Sequence, residues 1–108
     1  MNQEIKHIIL TEAQFATQVE DLLTRFGWMF YHVYEQFKHA KRSSKGFPDY
    51  VAMRNGRLLF IEIKSQHGKL SPDQQTWLEG LARCQSGDMP EIYVWWPAAF
   101  DDILEILR

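Results

Sequence analysis

The sequence predicts an α/β domain with a mixed central sheet and flanking helices, in the order αβββαβα. Three observations lead there. "PDYVAMR" and "RLLFIEIK" are strand-like runs joined by Asn55-Gly56, the strongest short-range hairpin signal, because a type I′ turn needs positive φ twice. Residues 11–26 form an amphipathic helical run before the hairpin. After it come a second helical run, the strand "EIYVWW" and a short amphipathic helix, "FDDILEILR".

The first helix is expected from about Thr11, a good N-cap, to Phe26, with Gly27 in the left-handed position that ends helices. Phe15, Val19, Leu22, Leu23 and Phe26 lie on one stripe. "WMFYHVYE" reads as an aromatic strand and "QFKHAKRSSKG" as a basic loop. After the hairpin and the loop "SQHGK", Ser71-Pro72-Asp73-Gln74 starts the second helix: Ser as cap, Pro in the first turn, Gln where a capping box wants it. That helix runs to about Cys84 and ends near Ser86-Gly87, and Pro97 stops the last strand. The whole is read as a single domain, 1–108, with residues 1–10 as an N-terminal extension.

An apolar share of 45% suits a domain that builds a core. No run approaches the roughly 18 apolar residues of a membrane helix, and "MNQEIKHIIL" lacks a signal-peptide layout. No membrane partner and an intracellular setting are therefore expected. The one cysteine, Cys84, excludes an internal disulfide and is no zinc framework; it is expected as a buried, small apolar residue. The net charge of -2 hides a pattern. Residues 38–69 hold eight basic and two acidic side chains, net +6, while the flanking segments are together net -8. A local positive field of this kind suits a polyanion. Lys38, Lys41, Arg42, Lys45 and Lys69 are the candidate phosphate contacts, the first four directly before Pro48-Asp49.

The two-residue turn fixes the register. Met53 should face Leu58, Val51 Phe60, and Asp49 Glu62. The two carboxylates then become cross-strand neighbours, with Cβ atoms roughly 4.5–5.5 Å apart. Like charges placed so are destabilising, and partial burial makes it worse. A hard divalent cation between them compensates, and Lys64 on the same face adds positive charge. Such a site suits metal-assisted phosphodiester cleavage. Glu12 falls beside the Phe15–Val19–Leu22 stripe and is read as pointing inward, a third-ligand candidate or an acid favourable at a helix N-terminus; Glu20 lies further round. Gln74 is read as a capping residue or as a contact to the lysine or to the water at the metal site. His32 is expected to be packed and hydrogen-bonded. His39 and His67 lie in loops, and Trp77, Trp95 and Trp96 are read as core or dimer contacts.

Together these motifs resemble the virus-type replication-repair nuclease (VRR-NUC) domain of the PD-(D/E)XK nuclease superfamily. They are Gly27-Trp28, Tyr31-His32, Gly46-Phe47-Pro48-Asp49, Glu62-Ile63-Lys64, and Gly68-Lys69-Leu70-Ser71 with Gln74 and Trp77. The match covers about residues 11–108, in order. The resemblance implies a restriction-endonuclease-like core, with Asp49 and Glu62 binding Mg²⁺ (Mn²⁺ as substitute) and Lys64 orienting the attacking water. The family's usual Gln about eleven residues before Gly-Trp is Ala16 here, so Glu12 is the matching helix-one acid and Glu20 the reserve. Short stand-alone members resemble dimeric enzymes that cut four-way DNA junctions. A homodimeric Holliday-junction resolvase acting on branched DNA is therefore expected, cytoplasmic in a bacterium or phage-infected cell. The alternatives are a flap or other branched-DNA nuclease, and a DNA-binding module that has lost cutting.

Overall fold

The computed structural model describes residues 9–34, 38 and 44–108. The elements are α1 (Glu12–Arg25), β1 (Met29–His32), β2 (Tyr50–Arg54), β3 (Arg57–Ile63), α2 (Pro72–Arg83), β4 (Glu91–Trp95), a 3₁₀ turn (Pro97–Ala99) and α3 (Phe100–Leu107). This is the α/β order read from the sequence. One sheet runs β1-β2-β3-β4; the first three strands are antiparallel, and β4 is parallel to β3. Residues 1–8 of the expected extension and most of the expected basic loop, including Lys41 and Arg42, lie outside the described residues.

Both long helices begin with a capping box. Thr11 and Gln14 exchange side-chain-to-backbone bonds at the start of α1, and Ser71 and Gln74 do so at α2. At the end of α1, Gly27 has φ 78°. Its N–H donates to Thr24 O, and that of Trp28 to Leu23 O at 2.9 Å, the paired closing bonds of a left-handed helix stop.

Period-two burial shows which face holds the core. Tyr50, Ala52, Leu59 and Ile61 are fully buried against Phe15, Val19 and Leu23 of α1 and Ile103 and Leu107 of α3. The alternate residues turn to the opposite face. There Phe47 packs edge-on against Phe60 and against Trp77 of α2, with ring centroids 6.1 and 4.9 Å apart. Cys84 is exposed at the C-cap of α2, not buried as expected. The reason is position: α2 buries only Leu78, and the helix ends at that residue.

Arg54 and Arg57 stand directly opposite across the turn. Two facing cations need compensation. Both guanidinium groups lie over the Trp28 ring, 4.5 and 4.9 Å from its centroid. They donate to the carbonyls of Phe26, Ile106, Leu107 and Arg108, and Arg57 pairs Glu91 through two bonds. Cations at a helix C-terminus are favourable, so the two arginines tie α3 to the hairpin.

Gly46 has φ 82°, and a Cβ there would lie 2.4 Å from the Asp73 carbonyl carbon and 2.6 Å from Gln74 N. The loop before Asp49 thus rests on the backbone of α2's first turn. Gly80, in the exposed middle of α2, has open space around it. Gly46→Ala should therefore destabilise the fold by about 2 kcal/mol or more, whereas Gly80→Ala should stabilise it by roughly 0.5–1 kcal/mol. Urea denaturation of both variants checks this; equal, small effects would contradict the packing described.

Candidate nuclease site

The hairpin register agrees with the reading from sequence: Met53 pairs Leu58 and Val51 pairs Phe60. The ladder ends at Tyr50–Ile61, one step before Asp49 and Glu62. Asp49 takes over there with its side chain. Oδ2 accepts the N–H of Ile63 at 2.7 Å, while its backbone carbonyl accepts the N–H of Val33 at 2.8 Å. By the alternation of an antiparallel ladder, the Ile63 N–H would otherwise seek a backbone acceptor near residue 48. The carboxylate is thereby fixed across the end of β3.

Glu62 shares the face of Phe60, under α2, and only 2% of it is exposed. Gln74 reaches it from the first turn of α2, Nε2 donating to Glu62 Oε2 at 2.9 Å. The other end of the same amide, Oε1, accepts the Ser71 N–H of the capping box. Gln74 is therefore the helix cap read for it, and its side chain meets the site at Glu62 rather than at the lysine. Glu62 Oε1 is buried without a hydrogen-bond partner. Burial first, and then the Asp49 charge, push the Glu62 carboxyl up to about 8, against the opposing pull of Lys38 and Lys64.

Lys64 is buried, with Nζ 3.8 Å from Glu62 Oε2. Its backbone N–H donates to Trp95 O of the parallel strand. Gly68 lies against its stem: an added Cβ would meet Lys64 Cδ at 3.3 Å and Ser65 Oγ at 3.0 Å. The Trp96 indole donates to Gly68 O at 2.8 Å and holds that loop in place.

Lys38 corrects one expectation. It was read as a phosphate contact, yet it is only 3% exposed, and its Nζ lies 2.7 Å from Asp49 Oδ1. Arg54 and Arg57 are likewise spent inside the fold. Of the other basic candidates, Lys45 and Lys69 are exposed.

The helix-one acids behave differently from each other. Glu12 is exposed, not inward as the helical wheel suggested, because it stands in the first turn, beyond the end of the packed stripe. It lines an open cleft of ≈ 340 Å³ shared with Ala16, His32, Tyr34, Asp49 and Ile63. Glu20 is half-buried; the Tyr50 hydroxyl donates to it, and His32 Nδ1 lies 3.6 Å away. Burial and this bond to Glu20 raise the Tyr50 phenol well above its ordinary range. His32 is packed as expected, stacked on Tyr50 at 4.6 Å. Among the described residues, no three His, Cys, Asp or Glu side chains are grouped so that all three could hold one metal ion.

The oxygen donors of Asp49 and Glu62 suit a hard divalent cation, and the unpartnered Glu62 Oε1 is the atom such an ion would satisfy. A larger hollow, ≈ 660 Å³, lies at the other end of β3 beside Arg57, Asp88, Glu91 and Tyr93. There Arg57, Glu91 and Tyr93 already satisfy one another.

A carboxyl whose pKa is higher folded than unfolded holds an extra proton in the folded state between the two values, so stability falls as pH rises through that window. For Glu62 the window runs from 4.5 to about 8. Metal-free protein should thus melt at lower temperature near about pH 8 than near about pH 5. Calorimetry of the wild type and of Glu62→Gln checks this: the drop should disappear in the variant, and an unchanged slope would contradict the assignment.

The sequence model of the VRR-NUC domain matches residues 5–97. No curated protein and no solved structure shows a significant match. The match spans most of the chain and contains Asp49, Glu62, Lys64 and Gln74. The chain belongs to the VRR-NUC domain family, a family of nucleases.

Proposed function

We propose that the chain is a Mg²⁺-dependent, structure-specific DNA endonuclease, and in its preferred version a homodimeric Holliday-junction resolvase. One observation carries the reading: Glu62, buried under α2 at the Asp49 end of the sheet, keeps a carboxylate oxygen without a partner. Asp49 and Glu62 would hold the cation. When bound, the cation offsets charge on the scissile phosphate and lowers the pKa of its water.

The chain's own residues supply the rest. Gln74 fixes Glu62 through Oε2, which leaves Oε1 for the ion. Lys64 brings a buried ammonium beside Glu62; its N–H groups would hold a phosphate oxygen and the attacking water, where low dielectric strengthens them. Ile63 N–H keeps Asp49 in place. Lys45 and Lys69, both exposed, are the DNA-backbone contacts, fixing orientation without reading sequence. By family analogy the cut leaves a 5′-phosphate.

Cleaving both strands of a branched substrate needs two active sites, and a two-fold dimer supplies them. Exposed Met29 and Tyr31 on β1 and Met53 on β2 offer apolar surface for such an assembly. A second reading, a DNA-binding module that no longer cuts, draws on Ala16 at the family's Gln position and on the lack of a three-ligand cluster among the described residues. Metal-independent junction binding without product would favour it.

On synthetic four-way junctions the wild type should cleave with Mg²⁺ and fail with EDTA. Lys64→Ala should lower kcat by about 10²–10⁴. No cleavage of junctions, flaps or duplex with Mg²⁺ or Mn²⁺ would count against the proposal; flaps cut in preference to junctions would move it to a flap nuclease. Binding titrations test the phosphate contacts: Lys45→Ala and Lys69→Ala should each reduce the salt slope by about 1, and slopes equal to wild type would remove those residues from the interface.

A further inference from the structure

Lys38, expected as a phosphate contact, is instead a buried ammonium at the carboxylate site. A buried ammonium is costly unless paired, and Asp49 Oδ1 at 2.7 Å is its partner. The other oxygen, Oδ2, is committed to Ile63 N–H. Both oxygens of one proposed metal ligand are therefore engaged, while Glu62 Oε1 has no partner. A dication bound to Asp49 Oδ1 would lie beside a fixed positive charge, with little water to screen it.

We infer that Lys38 is a built-in competitor for the cation: its ammonium holds Asp49 in the metal-free protein and must give up Oδ1 when the ion binds. The idea rests on the metal-site reading above. It explains how the fold tolerates two neighbouring carboxylates before metal arrives. Lys64 lies instead beside Glu62, with its Nζ 3.8 Å from Oε2. Lys38 acts through Asp49, so it is a positioning residue.

Mn²⁺ binding followed by the spin resonance of the free ion tests this without any turnover. Asp49→Asn should abolish binding. Lys38→Met, which keeps the stem and removes the charge, should bind Mn²⁺ about 10-fold more tightly or better, since a charge-assisted hydrogen bond no longer competes; Lys38→Arg should stay near wild type. A second measurement uses wild-type protein alone. Acetylation of Lys38 by an amine-reactive reagent, read by mass spectrometry, should rise severalfold with saturating Mn²⁺ and return with EDTA. Binding that depends on Asp49 but is unchanged or weaker in Lys38→Met, or acetylation indifferent to Mn²⁺, would overturn the inference alone. Wild-type protein with no Asp49-dependent Mn²⁺ binding would overturn the metal-site reading and this inference together.

Discussion

Two carboxylates held near one another at the ends of the two central strands are the constraint around which this domain is arranged. The Asn55-Gly56 turn sets the register, and β3 carries Glu62 into a position only 2% exposed. Burying a carboxylate beside another is among the costlier choices a small fold makes. Four neighbours bear on that cost. Ile63 N–H and Lys38 hold Asp49, while Gln74 and Lys64 attend Glu62. One oxygen, Glu62 Oε1, remains unsatisfied, and it is the atom that the proposed cation would take.

The rest of the fold serves that placement. Gly46 lets the loop before Asp49 lie on the first turn of α2, and the Phe47–Trp77 contact anchors it. That same turn projects Gln74, so one packing interface positions the surroundings of both carboxylates. Trp96 and Gly68 hold the loop that follows Lys64. At the far end of the sheet, Arg54 and Arg57 fasten α3 to the hairpin through Trp28. The hairpin is thus fastened at the end of β3 opposite the two carboxylates.

Features fixed by local chemistry could be read from the chain. The hairpin register followed from a turn that Asn-Gly makes cheaply, and with it the pairing of Val51, Met53 and their partners. The capping box at Ser71 followed from spacing alone. What escaped depends on where segments travel in space. Lys38 sits eleven residues before Asp49, with no periodic pattern joining them, so its charge counted only as part of a basic loop. Arg54 and Arg57 entered the same charge sum, although both are engaged inside the fold. A helical wheel gave the face of Glu12 but not its depth, and placed it inward when it stands exposed at the helix start. The Glu20–Tyr50–His32 cluster had one signal, a histidine in an aromatic strand, but no sequence spacing links its three members.

The central claim is that the Asp49 and Glu62 carboxylates are shaped to share a divalent ion. Anomalous diffraction from a Mn²⁺-soaked crystal tests it most directly. The account predicts a peak in contact with Asp49 and with Glu62 Oε1. A peak bound elsewhere, or none at these carboxylates at saturating Mn²⁺, would contradict it.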